Sequence, residues 1–313
     1  MDARLLDKSL PTQASLAQYL PAVRNQGSES DCTSFALCGA VEGQRAKDGL
    51  PAVTLSPAFL FYEARSTENE QSQDVGLFMP VVLRTAQSVG IATEGDDAYV
   101  DGAFAAAPSA TAIADAKQYA ICGWNDLTPY QPSDAILSGQ EPNAPLVNAV
   151  RQAISHGHFV LLNVASSALS NVSPDGVVPM PADPSLTHVD HEVFAYDYDD
   201  ASQTFSIQNS WGADWSKNGR AEIPYDFVSN LSLCNDGYTV NVVKPVVTPK
   251  PSQLPVTGPQ GTKVPVTVAG AGLLSGGYVI SGHTWVLATE VAAAFGTSAE
   301  WTGKGVVIPA PKG

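Results

Sequence analysis

Basic residues are scarce in this chain: 16 Lys and Arg stand against 31 Asp and Glu, a net charge of -15 over 313 residues. That balance excludes the cationic surface that nucleic acid or an anionic membrane requires, and the excess acid reads as a solubilising surface. Cysteine is sparse too. None of Cys32, Cys38, Cys122 and Cys234 forms a Cys-x-x-Cys pair, so zinc and thioredoxin-type patterns are lacking. Cys122 and Cys234 are left open between a disulfide and two free thiols. The longest uncharged run, Val264 to Thr289, is interrupted by Pro265 and several glycines and reads as short strands rather than a membrane span. Met1 to Leu20 carries acids, polar residues and Pro11 with no apolar core, so no signal peptide is expected. Familiar catalytic signatures are absent as well. There is no Gly-x-Ser-x-Gly elbow, and Ala195 stands where His191-Glu192 would need a second histidine to bind zinc. Asp197, Asp199 and Asp200 read as a strand-end turn rather than a calcium loop, and no metal or cofactor is implied.

What is present begins with helices. Spacing of apolar residues predicts one over Cys32 to Lys47, stopped by Asp48-Gly49, and another from Met79 to Val89, stopped by Gly90. A third runs from Pro145 to Ser155. Strand-like runs follow at Phe159–Val164, Glu192–Tyr198, Phe205–Asn209 and Gly219–Ile223. Helices segregated from strands imply an α+β domain with two lobes over residues 1–243. Residues 244–263 are rich in proline and read as an extended linker. Residues 264–313 read as a small β-rich module: strands at Gly277–Ile280 and Thr284–Leu287 around a Ser281-Gly282 turn, a helix at Thr289–Phe295, and strands near Ala299–Trp301 and Gly305–Ile308.

Asn25-Gln26-Gly27-Ser28-Glu29-Ser30-Asp31-Cys32-Thr33-Ser34-Phe35-Ala36 carries the strongest chemical signal. It puts a thiol at a helix N-terminus, where the helix dipole favours an anion, and places the amide donor Gln26 six residues ahead of it. A nucleophilic cysteine also needs a base held by a third group. His156 and His158 flank Gly157 at a helix end, and His283 lies in the distant module. His188 and His191 precede a strand, a position from which a ring can enter a cleft. Eighteen residues after His191 comes Asn209-Ser210-Trp211-Gly212, followed by Trp215. An Asn carbonyl can fix an imidazole's tautomer, and a neighbouring Trp can shield that bond from water.

Gln26-Gly27-Ser28 ahead of Cys32, Val189-Asp190-His191 and Asn209-Ser210-Trp211-Gly212 together resemble the papain-like cysteine peptidases. Phe35-Ala36, Glu42-Gly43, Leu55-Ser56, Gly90-Ile91 and the segment Gly219 to Tyr225 extend the likeness over residues 10–240, closest to bacterial members. The resemblance implies a helical lobe and a β-barrel-like lobe with a cleft between them. It also implies Cys32 as nucleophile, His191 as general acid/base, Asn209 as its orienting partner and Gln26 as an oxyanion donor. Trp211 would cover the Asn–His bond, Trp215 would line the leaving-group side, and Gly76 would pair with bound peptide through its backbone. The implied resting state is a thiolate–imidazolium pair. Departures are local. Glu29-Ser30-Asp31-Cys32-Thr33 replaces the family's Cys-Gly-Ser-Cys-Trp, which removes a usual bridge. Asp31 could cap the helix but opposes a thiolate, whereas Asp190 favours the imidazolium. The expected thiol pKa is therefore above the family's. Glu192 stands where relatives carry a small residue at the specificity pocket. A carboxylate there would favour a basic or polar side chain at the substrate's second position, and the other reading is an exposed strand-end acid. The Cys32–His191 separation exceeds the roughly 130–150 residues of the papain pattern, pointing to an insertion around Ser166–Thr187.

The C-terminal module, from Gly277-Tyr278-Val279-Ile280 to Trp301, resembles a copper amine oxidase N-terminal-like domain, without implying copper. Leu254-Pro255-Val256-Thr257-Gly258 spells a sortase signal, but a folded module follows it, so anchoring is not expected. The resulting expectation is a monomeric cysteine endopeptidase acting on protein or peptide substrates, with a proteinaceous inhibitor as a further candidate partner and no nucleic-acid or membrane partner. Two alternatives stay open: a weakly active or inactive binding scaffold at a surface, and an acyl-transferring relative. Family resemblance points to an extracellular or periplasmic location, with the cytoplasm still open. No propeptide is visible, which leaves constitutive activity, a separate inhibitor or restraint by the C-terminal module.

Overall fold

In the computed structural model, residues 6–128 and 144–242 are described, together with five short strands beyond them. The chain divides into two compact units, Met1–Val246 and Val247–Gly313. In the first, strand β1 (Gln13–Ser15) is followed by helices α1 (Cys32–Lys47), α2 (Pro57–Thr67), α3 (Met79–Ser88) and α4 (Ala110–Ala116). Strand β2 (Gly123–Asp126), helix α5 (Ala144–Ser155), strand β3 (Val160–Val164) and the short helix α6 (Ser166–Leu169) come next. Strands β4 (His191–Asp199), β5 (Thr204–Gln208) and β6 (Arg220–Pro224), helix α7 (Tyr225–Val228) and strand β7 (Cys234–Asn241) complete the unit.

Helix α1 is buried on every side from Thr33 to Gln44, which makes it the axis of the helical lobe. It can approach the sheet closely because two of its residues lack a Cβ. A Cβ at Gly39 would come within 2.6 Å of the Phe194 ring, and one at Gly43 within 2.7 Å of Phe159. Helix α2 begins with Pro57 in its first turn and Ser56 as N-cap, the Ser56 hydroxyl accepting from Phe59 N–H at 3.0 Å.

Seven strands form an antiparallel sheet ordered β2-β7-β3-β4-β5-β6, with β1 on β4. The sheet is open, not closed into a barrel. The nine residues of β4 pair along one edge first with β3 and then with β1, and β2 and β6 stay at opposite ends. Alternation sorts the side chains. Val160, Leu162, Val164, Val193 and Ala195 pack with α5 and α7 in one core; Leu161, Phe194, Tyr238 and Val240 face α1 in the other. A register shift between Ala195 and Asp197 then turns Tyr198 into the first core. The molecule therefore has two lobes, one mainly helical and one built on the sheet.

Cys122 and Cys234 are both free. Cys122 N–H bonds Asn241 at one end of β7 and Cys234 begins the other end, about 24 Å away at strand rise. A disulfide cannot span that distance. In the segment expected to hold an insertion, α6 is followed by loops and a 3-10 turn at Pro184–Leu186, pinned by a bridge from Val177 to Glu222.

In the second unit the described strands are β8 (Thr262–Val264), β9 (Gly277–Ile280), β10 (His283–Trp285), β11 (Glu300–Trp301) and β12 (Val306–Val307). Strands β8, β9 and β10 form one antiparallel sheet, and β11 pairs with β12. Strand β8 starts inside the segment expected to be linker. The rest of that segment before Thr262, the Ser281-Gly282 turn and the expected helix at Thr289–Phe295 lie outside the described residues.

Candidate active site

The loop before α1 and the loop after β5 are stitched together by main chain. Gln26 N–H bonds Ser210 O at 2.8 Å, Gly212 N–H bonds Arg24 O at 3.1 Å, and Asn25 and Trp211 form an isolated bridge. Side chains reinforce the seam. Ser210 Oγ donates to Gln26 Oε1 at 2.6 Å, and Gln26 Nε2 donates to Glu29 O at 2.9 Å. Tyr99 Oη adds a bond to Gln26 O at 2.5 Å. The Gln26 amide is thus fixed beside the start of α1, with its second N–H hydrogen uncommitted.

His191 opens β4 and Asn209 directly follows β5. The His191 Nε2 donates to Asn209 Oδ1 at 2.8 Å. That oxygen also accepts Ser210 N–H at 2.7 Å, which identifies it as the carbonyl and makes Nε2 the protonated nitrogen. Nδ1 is left for other chemistry. Trp211 lies over the imidazole with ring centroids 4.9 Å apart and planes tilted 36°. Trp215 meets Trp211 edge-on at 5.6 Å, and its Nε1 is buried without a hydrogen-bond partner.

A cavity of about 190 Å³ opens beside the start of α1 and is lined by Cys32, Gly76, Asp190, His191 and Glu192, among others. The structure brings these five expected residues together, with Gln26, Asn209 and Trp211 joined to them through the seam. Trp215 supports Trp211 and does not line this cavity. A Cβ at Gly76 would touch only Ser30 O, at 3.9 Å, so nothing within the protein crowds this face. The Asp190 carboxylate accepts from Ser166 N–H at 2.9 Å and Ser166 Oγ at 3.0 Å, holding the start of α6 beside the cavity.

Three electrostatic expectations change. Burial, then the nearby Glu192 and Asp31 acids, push the Cys32 thiol up to about 12, with the Glu192 and Thr33 N–H groups partly opposing. Burial also lowers His191, against its Asn209 bond and the charge of Asp190. Both directions favour a neutral thiol and imidazole over the expected ion pair. Asp31 does not cap the helix through its side chain. Its carboxyl is buried with only one side chain nearby to donate, the Tyr99 hydroxyl, whose proton is already committed to Gln26 O, and burial with the neighbouring Glu29 and Asp74 raises its pKa to about 8. Near neutral pH it carries little charge. Glu192 is no exposed strand-end acid: it is 2% exposed, and its Oε1 has no partner.

Sequence reasoning missed Ser210, Tyr99, Asn163 and Asp236. Ser210 sat inside the Asn-Ser-Trp-Gly motif, and Asn163 was the polar residue in an otherwise apolar strand. Among the described residues, no group of three or more His, Cys, Asp or Glu is placed to hold a metal ion, and no helix is long and apolar enough to cross a membrane.

Residues 10–235 match the family model described as papain family cysteine protease. A peptidase C1-like protein of Acanthamoeba polyphaga mimivirus is 25% identical over 243 residues, covering 74% of each chain. Xylellain, a cysteine protease from Xylella fastidiosa, is 25% identical with a TM-score of 0.62, covering 76% of this chain and 90% of its own. A Carica candamarcensis cysteine protease in complex with E-64 shares the fold at 20% identity and a TM-score of 0.55, over 75% of this chain and all of its own.

Proposed function

The chain belongs to the papain family of cysteine proteases, and on that premise we propose that it cleaves peptide bonds with Cys32 as nucleophile, His191 as general acid/base, Asn209 as orienting residue and Gln26 as oxyanion donor. One observation carries the assignment. The 2.8 Å His191–Asn209 bond fixes Nε2, so proton traffic must use Nδ1, on a ring that lines the same cavity as Cys32.

Burial raises the Cys32 thiol and lowers the His191 imidazole, so the Sγ proton has to pass to Nδ1 for the sulfur to attack. The sulfur adds to the scissile carbonyl. The oxyanion that forms is met by the Cys32 N–H and the free Gln26 Nε2 hydrogen, each worth on the order of 3–4 kcal/mol in such sites. Collapse expels the amine with the proton from Nδ1. Water, deprotonated by His191, then cleaves the thioester and restores the thiol. Asp190, fixed by Ser166, favours the imidazolium that appears between these steps. Trp211 keeps water from the Asn209–His191 bond, Trp215 buttresses Trp211, and the open backbone at Gly76 offers an edge to the substrate.

The bacterial affinity belongs to the same proposal, supported by the motif pattern and the likeness to xylellain from Xylella fastidiosa, and the extracellular or periplasmic location rests on the family resemblance alone. Residues 264–313 are assigned to an amine oxidase N-terminal-like accessory module on their sequence pattern alone. A second reading, a slow or inactive scaffold, is favoured by the raised thiol and by the lack of any described hydrogen bond between Cys32 and His191. Kinetics separate the two. The chain should hydrolyse blocked peptide substrates, and Cys32→Ser and His191→Ala should each reduce turnover to background. Retained hydrolysis in Cys32→Ser would defeat the proposal, and an inactive parent chain would favour the scaffold.

A further inference from the structure

The Gln26 amide owes its aim to a main-chain oxygen. Its Nε2 rests on Glu29 O, and Glu29 lies in the turn that leads into α1. Among the described residues, no main-chain hydrogen bond fixes residues 27–30 of that turn. Side chains from two other loops do so instead. Ser30 N–H donates to Asp74 Oδ1 at 2.9 Å, and Ser28 N–H and Oγ both donate to Asp101 Oδ1 at 3.0 Å. The N–H groups on either side of Glu29 are thus each held by a carboxylate from a distant part of the chain. A Cβ at Gly27, where φ is +62°, would run into the Asp101 carboxyl, so glycine lets that loop close on the turn.

Both loops are tied to one buried cation. Arg65 on α2 is fully buried and donates to Gln71 O at 3.2 Å and to Gln73 O, just ahead of Asp74. Its other terminal nitrogen donates to Phe104 O at 2.5 Å, shortly after Asp101, and Nε donates to Phe61 O at 3.2 Å. Arg65 therefore fixes the main chain of both loops and leaves the two carboxylates to the turn.

We propose that Asp74 and Asp101 are positioning residues for the oxyanion donor: through Ser30 and Ser28 they hold the Glu29 carbonyl that aims the Gln26 amide. The inference rests on the peptidase reading and adds two residues to its machinery. Ser28, Asp74 and Asp101 are exposed, so water can replace either hydrogen bond at little cost in stability. Aim is less forgiving. A displacement of about 1 Å in a reacting site can cost on the order of 100-fold in rate. Positioning therefore predicts a large kinetic effect with a small thermodynamic one.

Steady-state hydrolysis of a blocked peptide anilide by full-chain variants tests this. Asp74→Ala and Asp101→Ala should each lower kcat about tenfold or more, with KM within about twofold and the thermal midpoint within about 4 °C of the parent. Asp74→Asn and Asp101→Asn keep an acceptor oxygen and should stay within about threefold of the parent. Adding Asp74→Ala to Gln26→Ala should slow the enzyme no further, because the amide it aims is already gone. Unchanged kcat in either alanine variant, a loss carried by KM alone, or asparagine variants as slow as the alanine ones would each overturn the inference. Full multiplication of the Asp74 and Gln26 effects would do the same. A midpoint drop large enough to unfold either alanine variant would make the contact a scaffold and overturn it as well.

A second readout needs no turnover. In nitrogen-15-labelled protein the Gln26 side-chain amide signals, identified by their absence in Gln26→Ala, should move in both alanine variants and far less in both asparagine variants. Cleavage by the parent chain with unmoved amide signals defeats only the inference. If the parent chain hydrolyses nothing, the peptidase reading fails, and these signals decide the inference alone: it stands if they move and falls if they do not.

Discussion

Asp31 shows how far one buried side chain can depart from its sequence appearance. Next to a nucleophile it reads as an opposing anion, yet burial raises its pKa to about 8. The unfolded chain releases that proton near pH 4 while the folded chain keeps it. The wild type therefore loses stability relative to an uncharged analogue as pH rises from about 4 towards 8, and the difference levels off above that. Asp31→Asn should accordingly raise the denaturation midpoint more at pH 8 than at pH 4. A difference that shrinks with rising pH would contradict the burial account. The same logic governs the thiol: Asp31→Asn should speed alkylation of Cys32 only above about pH 8, where Asp31 ionises. Gln26 carries two loads, the oxyanion and the Ser210–Glu29 seam. Gln26→Ala should lower kcat by about 100-fold or more, with a stability loss of about 1–3 kcal/mol from the unpaired Ser210 hydroxyl. Unchanged kcat in steady-state assays would remove it from the oxyanion site.

At the scale of elements, α1 was legible almost to the residue because Asp48-Gly49 stops a clear apolar pattern. The strands β3 to β6 were legible as short apolar runs. Helix α2 was not read, although Ser56-Pro57 is an N-cap and first-turn signal. Strand β7 was hidden by its composition: Cys234-Asn-Asp-Gly237 reads as a turn, yet the strand is central, held by β2 on one side and β3 on the other. The catalytic candidates were legible because motif spacing carries them. The placing of Asn163 opposite both Glu192 and Asp236 was not, since it exists only through the register of three strands far apart in sequence. Packing of α1 on the sheet makes its own prediction. Gly39→Ala should cost about 1–3 kcal/mol by denaturant unfolding, because the new methyl displaces the Phe194 ring. An unchanged midpoint would mean that the ring moves freely.

For the whole molecule, both cores and the proposed catalytic constellation fall within Met1–Val246. A chain ending after Val246 should therefore unfold cooperatively at a midpoint close to that of the full chain and cleave the same peptides. Failure to fold would show that residues 247–313 complete a core, and a gain in activity would show that they restrain it. The central claim is the identity of the nucleophile among four free thiols, of which Cys38 and Cys234 are buried in the two cores. The most direct measurement is mass-spectrometric mapping of the full chain after treatment with an epoxide or chloromethyl ketone peptide inhibitor. The account predicts modification of Cys32 alone, lost when His191 is replaced by alanine. Labelling spread over Cys38, Cys122 and Cys234, or Cys32 labelling indifferent to His191, would contradict it.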